Sequence, residues 1–316
     1  MTLSPSQSNR PAEGSPATLI EVGFKHAAQL FRMEMADYRW IFGGLSGADA
    51  QDVSVYLAFA RQALDLLSER ASPAGTSEAW EGARSELRAA YANHSTNALY
   101  VALVDVLRRH AVPEQLPFDL FDGIDWWIRF GKFATYDEWA HFAAQLGGST
   151  LHALAVIIGC EHRGYESAAT QAGQAMALTQ MLGLAGSQCT SERCLLPADV
   201  LSQCHLDPND LLADDHGKRF AAMVRGLAAR VELEFFEGTS LAAHLSFDGQ
   251  RVLKSLFSVH WHLLNHIKQD PLHLLHAANQ LSRLERFSLR LNHVLGTEGS
   301  GNPLVAAMKS PHGSAH

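Results

Sequence analysis

Charge is scarce in this sequence. Asp, Glu, Lys and Arg make up 18% of its 316 residues, and the balance is acidic, with a formal net charge of −8. The clustered Lys and Arg that neutralise a phosphate backbone are missing, which excludes a general nucleic-acid binder. No apolar run reaches the roughly 20 residues that span a bilayer. The best stretch, Leu151 to Cys160, reads as a buried helix segment, so no transmembrane segment is expected. Met1 to Pro16 is rich in Ser and Pro and lacks a basic segment followed by an apolar one. It reads as a disordered tail and not as a secretory signal. Only four cysteines are present, Cys160, Cys189, Cys194 and Cys204. Without an export signal they are expected to be reduced, and the location cytoplasmic. Alternating runs of β-branched residues are also absent, which argues against a sheet.

What is present is helix-forming. Hydrophobic residues make up 47% of the chain, and they recur at three- and four-residue steps in most segments. Helices are expected from Ala17 to about Ile41, from a cap at Asp49 or Asp52 to Glu69, from Thr76 or Ser77 to Ala90, and from Ser95 to His110. Thr135 with Glu138 forms a capping box for a helix that can run to Cys160. Another follows Ser167. Pro197 and Pro208 open further helices, the second capped by Asp207. Arg251 to Lys268 and Pro271 to about Arg290 complete the pattern. No repeat and no long linker divides it. The expectation is one all-α domain over residues 17–295, with disordered tails at 1–16 and 296–316.

Two segments carry a chemical signature. The first is Ala177-Leu178-Thr179-Gln180-Met181-Leu182-Gly183-Leu184-Ala185-Gly186-Ser187-Gln188, continuing through Arg193 to Leu196-Pro197. The second is Tyr56 to Glu69, with Phe59, Arg61, Leu64, Asp65 and Ser68. Together they resemble the squalene/phytoene synthase family of head-to-head prenyl transferases. In that family the first reads Gln-Leu-Thr-Asn-Ile-Leu-Arg-Asp, then Val-Gly-Glu-Asp, then a basic segment ending in Leu-Pro. The second reads Phe-Cys/Ala-Arg-x-x-Asp-Asp-Ile-x-Asp-Glu. Asp122-Gly123, Phe133 to Glu138, Ser149-Thr150, Arg230, Phe235-Phe236 and Leu281-Ser282-Arg283 extend the resemblance over about residues 20 to 292. It implies an isoprenoid-synthase-like helical bundle around a central cavity.

The departures from that pattern are specific. The family's paired aspartates fall on Leu64 and Ser68 in one motif and on Leu184 and Gln188 in the other, and its arginine falls on Gly183. Mg²⁺ takes oxygen ligands, and carboxylates spaced one helical turn apart on facing helices supply them beside a prenyl diphosphate. The metal then neutralises the departing diphosphate. None of these four side chains is anionic. By the resemblance, Arg61, Leu64, Asp65, Ser68, Gly183, Leu184, Gln188 and Arg193 line a degenerate substrate site, with no catalytic residue, metal or cofactor. The implied role is lipid binding, assembly or an accessory function. Its partner would be an isoprenoid or other lipid, a protein, or an active homologue, and attachment at the inner membrane face is one location for such a role. The alternative is an active Mg²⁺-dependent prenyl transferase of squalene, hopanoid or carotenoid biosynthesis, with Asp105, Asp122 or Asp125 replacing the lost acids. A plainer reading makes Leu64 and Leu184 ordinary core leucines.

Other constellations are weaker. Cys189, Cys194, Cys204 and His205 suit a zinc site poorly, because the usual short Cys pair is lacking. His260, His262 and His266 include an i,i+4 pair, but a packed or partly exposed His-rich helix is the simpler account. Trp126, Trp127, Phe118 and Phe121 read as aromatic core before they read as a lipid-cavity lining. Arg61 is expected to pair with Asp65.

Overall fold

A computed structural model of the chain describes residues 16–35, 39–66, 73–160, 164–185, 189–190, 192–209, 211, 216–276, 289 and 302–309. Among them there is no strand, and helix follows helix: α1 (Pro16–Glu34), α2 (Gly47–Asp65), α3 (Pro73–Tyr91), α4 (Ala98–Arg109), α5 (Gln115–Phe130) and α6 (Tyr136–Ala143). A π-helical turn, Ala144–Gly148, leads into α7 (Ser149–Ile157) and α8 (Glu166–Leu184). Then come α9 (Ala198–Gln203), α10 (Gly217–Gly238), α11 (Phe247–Gln269) and α12 (Pro303–Lys309). One continuous apolar core joins them. No helix among the described residues is long and apolar enough to cross a membrane.

The helix boundaries depend on capping chemistry. Ser46, not Asp49 or Asp52, caps α2, accepting from the Asp49 N–H at 3.2 Å. Asp52 is instead buried. Asn97 caps α4, while Ser95 donates to Glu86. The expected cap at Thr135 forms, accepting from the Glu138 N–H at 3.2 Å. The Glu138 carboxylate returns to the Ala134 N–H at 2.7 Å, one residue before the position a capping box would use. The first helix ends at Glu34 and does not reach Ile41, which lies in a separate 3₁₀ turn. Pro208 opens no helix among the described residues; Asp207 closes a turn there, accepting from the Asn209 N–H at 2.8 Å. The helix expected from Pro271 to about Arg290 begins as a 3₁₀ turn, Pro271–Leu275, and most of its remaining length lies outside the described residues. The stretch 296–316, expected to be a tail, holds α12, whose Leu304 and Val305 are fully buried.

At the centre is α8, packed by α7, α10, α11 and the π-turn. Small residues make this possible. A Cβ on Gly173 would lie 2.1 Å from the Gly147 carbonyl oxygen, and one on Gly238 would lie 2.8 Å from the Ala172 side chain. The helices therefore approach backbone to backbone, and the π-turn at Gly147–Gly148 is where the α6–α7 path accommodates α8.

Candidate functional site

The first degenerate motif ends α2. Arg61 and Asp65 form the expected pair at 2.8 Å, both side chains about half exposed. Leu64 between them is 38% exposed, so it is not a core leucine. On the inner face of α2, Phe59 packs edge-on against Tyr56, Tyr100 and Phe121. Ser68 lies outside the described residues.

The second motif ends α8. Gly183 is buried, and Leu184 is half-buried against the core. Thr179 is buried and satisfies its hydroxyl on the Ala175 carbonyl at 2.8 Å. Gln188 lies outside the described residues. One turn before Leu184, the Gln180 amide nitrogen lies 3.0 Å from His260 Nε2 on α11. His260 Nδ1 is 2.8 Å from the Leu256 carbonyl. With Nδ1–H donating there, Nε2 accepts from Gln180, which fixes the neutral tautomer. Burial holds the imidazole down at about 4, against the opposing pull of the Leu256 carbonyl. The His260–Gln180 bond was not legible as a site, because those residues are eighty apart in sequence.

Arg193 follows in the connection between α8 and α9. Its guanidinium lies over the Trp127 ring at 5.7 Å, and its stem fills the space a side chain at Gly131 would need. Gly131 has φ +62° and ends α5 in the left-handed region. The loop is pinned by Cys194 N–H to the Gly131 carbonyl at 2.9 Å and Ala198 N–H to the Phe133 carbonyl at 2.9 Å. Cys189 and Cys194 are joined in a disulfide, which corrects the expectation of independent reduced thiols; only Cys160 and Cys204 are free. Spacing alone does not reveal that pair, since the loop turns back on itself through the Thr190 N–H to Arg193 carbonyl bond at 2.6 Å.

Helix α7 touches both α2 and α8, the two helices that carry the motifs at their C-terminal ends. The carboxylates considered as replacements are each engaged by arginine. Asp105 pairs with Arg109 at 2.9 Å, Asp125 with Arg129 at 2.7 Å, and Asp122 with Arg84. Among the described residues no three His, Cys, Asp or Glu side chains group closely enough to hold a metal ion. The His262 and His266 rings lie with centroids 4.8 Å apart, tilted by 46°, but His260 is buried away from solvent. The donor set at the four motif positions, two leucines with a serine and a glutamine, does not fit a Mg²⁺ cluster.

The aromatic residues belong to the core. Trp127 packs with Phe133 and Phe142, Trp126 with Phe130, and Phe118 with Tyr91. A wholly apolar pocket lies between α7, α11 and the 3₁₀ turns Arg39–Phe42 and Thr239–His244, lined by Phe42, Leu151, Leu154, Leu245 and Leu256 among others. The space left in it is about 10 Å³, room for a single water. An open groove of about 550 Å³ lies elsewhere, between α2, α3 and α4, and is lined by Gln62, Asp65, Glu86 and Tyr100 among others.

Comparison with known proteins agrees with this architecture. The family model for squalene/phytoene synthase matches residues 43–285. A dehydrosqualene synthase solved in complex with a ligand superposes with a TM-score of 0.78 at 18% identity, over 90% of this chain and 99% of that one. Squalene synthase HpnC from Alicyclobacillus acidocaldarius gives 0.71 at 17% identity, over 82% and 97% of the two chains. YisP from Bacillus subtilis gives 0.68 at 15%, over 90% and 100%. A search of curated proteins gave no significant match. The helical bundle is thus the isoprenoid synthase fold, and with its family model spanning most of its length the chain belongs to the squalene/phytoene synthase family.

Proposed function

We propose that this family member has lost Mg²⁺-dependent prenyl diphosphate chemistry and acts by binding, as a lipid carrier, an assembly factor or an accessory to an active homologue. One observation carries the reading. At both motifs the aspartate positions hold side chains without anionic oxygen, and Asp65 and the acids weighed as replacements, Asp105, Asp122 and Asp125, are each held by an arginine. A diphosphate buried beside half-buried Leu184 without metal would meet a desolvation cost on the order of several kcal/mol per charge. Binding of an apolar chain instead requires the pocket beside α7 and α11 to open, because ligand pockets hold about 300–1,000 Å³. The role fits a cytoplasmic protein or one attached at the inner membrane face.

The competing reading, an active prenyl transferase, draws on the likeness in fold to synthases over 82–90% of the chain. Incubation of the purified protein with farnesyl or geranylgeranyl diphosphate and Mg²⁺ separates the two. The expected result is unchanged substrate. Formation of squalene, phytoene or presqualene diphosphate would establish the competing reading.

A further inference from the structure

Helix α10 is apolar on two sides. Its inner side, with Phe220, Val224, Leu227, Val231 and Phe235, is buried in the core. Its outer side carries Ala222, Gly226, Ala229, Leu233 and Phe236, all exposed. A surface helix needs one apolar stripe. This second stripe has alternating four- and three-residue steps, the spacing of a helix–helix seam. Leu233 is 65% and Phe236 41% exposed, and the Phe236 ring is held edge-on by Trp261 at 6.0 Å. A Cβ on Gly226 would touch nothing among the described residues, so packing against them does not explain that glycine.

The stripe is graded in size and its borders are graded in charge. Small residues (Ala222, Gly226) lie in the N-terminal half and large ones (Leu233, Phe236) in the C-terminal half, with Ala229 between them. Lys218, Arg219 and Arg225 lie in the first half, and Glu232, Glu234 and Glu237 in the second. Arg230, near the middle, is drawn over the Tyr136 ring at 4.7 Å. A parallel copy would set large on large and like charge on like. An antiparallel copy centred on Ala229 sets Phe236 over the other Ala222 and Leu233 beside the other Gly226. The same register brings Arg225 opposite the other Glu232, and Arg219 opposite the other Glu237. Lys268 already steadies that border: its Nζ donates to Glu232 at 2.5 Å, and its carbonyl accepts from Arg225 Nε at 3.1 Å. Holding these groups in place lowers the ordering cost of association.

We propose that a second copy of this chain docks on α10, the two helices antiparallel about a two-fold axis near Ala229. Each copy presents the same patch, as an isologous interface requires. The seam from Ala222 to Phe236 is about 21 Å long at 1.5 Å per residue. One helix pair of that length lies below the roughly 1,200–2,000 Å² of a standard interface, so a reversible dimer of micromolar affinity is expected.

Sedimentation velocity over a concentration series tests this on the full chain. The mass should rise from 34.5 kDa toward twice that value. Leu233→Glu, on an exposed site, should raise the dissociation constant by about tenfold or more while leaving the circular dichroism unchanged. Arg225→Glu should weaken the dimer, and adding Glu232→Arg should restore it. Register is tested with a short bismaleimide. Ala229→Cys should cross-link to itself above the background from Cys160 and Cys204, whereas Ala222→Cys, about 21 Å from its counterpart, should not. A protein that stays monomeric up to hundreds of micromolar (about the top of such a series) would overturn the proposal. So would a dimer indifferent to Leu233→Glu, equal cross-linking at the two positions, or self-association replaced by binding to a different protein.

Discussion

Asp52 and His260 are buried ionisable side chains whose protonation is tied to folding. Asp52 accepts both guanidinium nitrogens of Arg109 at 2.8 Å and lies 2.7 Å from His110 Nε2. Burial pushes its carboxyl up, but the Arg109 and His110 hydrogen bonds and charges outweigh this, and the net direction is down. A lowered carboxyl contributes stability above its unfolded value near 4 and loses it as pH falls through the folded value. Asp52→Asn should therefore flatten the acid limb of a urea-unfolding series. Its cost at pH 7 should be about 1–3 kcal/mol, discounted because Arg109 is half exposed.

His260 has the opposite charge logic but the same pH slope. Its value of about 4 lies below the ordinary 6.5, so the folded state disfavours the proton. The stability this provides is complete above pH 6.5 and is lost as pH falls toward 4. The loss is on the order of 3 kcal/mol. Denaturant midpoints for the parent should fall steeply over that window, and His260→Phe should reduce the slope, leaving the share of His152, which burial also lowers. A slope unchanged in the variant would assign it to another group.

At the scale of elements, α8 is defined by what its residues leave out. Gly173 meets Gly147 at carbonyl distance, and Gly238 meets Ala172. Gly173→Ala should lower stability by about 1–3 kcal/mol, since the nearest atoms are backbone and cannot swing aside. A fall in the thermal midpoint with the far-ultraviolet spectrum intact is the expected outcome. Thr135→Ala removes the acceptor for the Glu138 N–H and should cost about 1 kcal/mol, measurable by the same scan.

At the scale of the molecule, whether the two motifs, at the ends of α2 and α8, can share one diphosphate site is open to test. Restoring acid at all four positions with Leu64→Asp, Ser68→Asp, Leu184→Asp and Gln188→Asp should create affinity for Mg²⁺ with inorganic pyrophosphate in calorimetry. Leu64 is exposed enough to accept the change, and half-buried Leu184 should carry most of the stability penalty. No gain in affinity would show that these positions do not face a shared diphosphate site.

The all-α class, the Thr135 cap, the Arg61–Asp65 pair and the family motifs were determined by sequence alone, because each rests on residues within one helical turn or one short segment. Neighbours that close meet whatever the rest of the chain does. What only tertiary structure decided joins distant residues: Asp52 with Arg109 and His110, Gln180 with His260, and Arg193 with Trp127. The Cys189–Cys194 bond belongs with them, since it depends on the fold of its loop. The buried helix α12 within an expected tail and the open turn at Pro208 were likewise unreadable, because composition and capping residues do not report which surfaces a neighbouring helix covers.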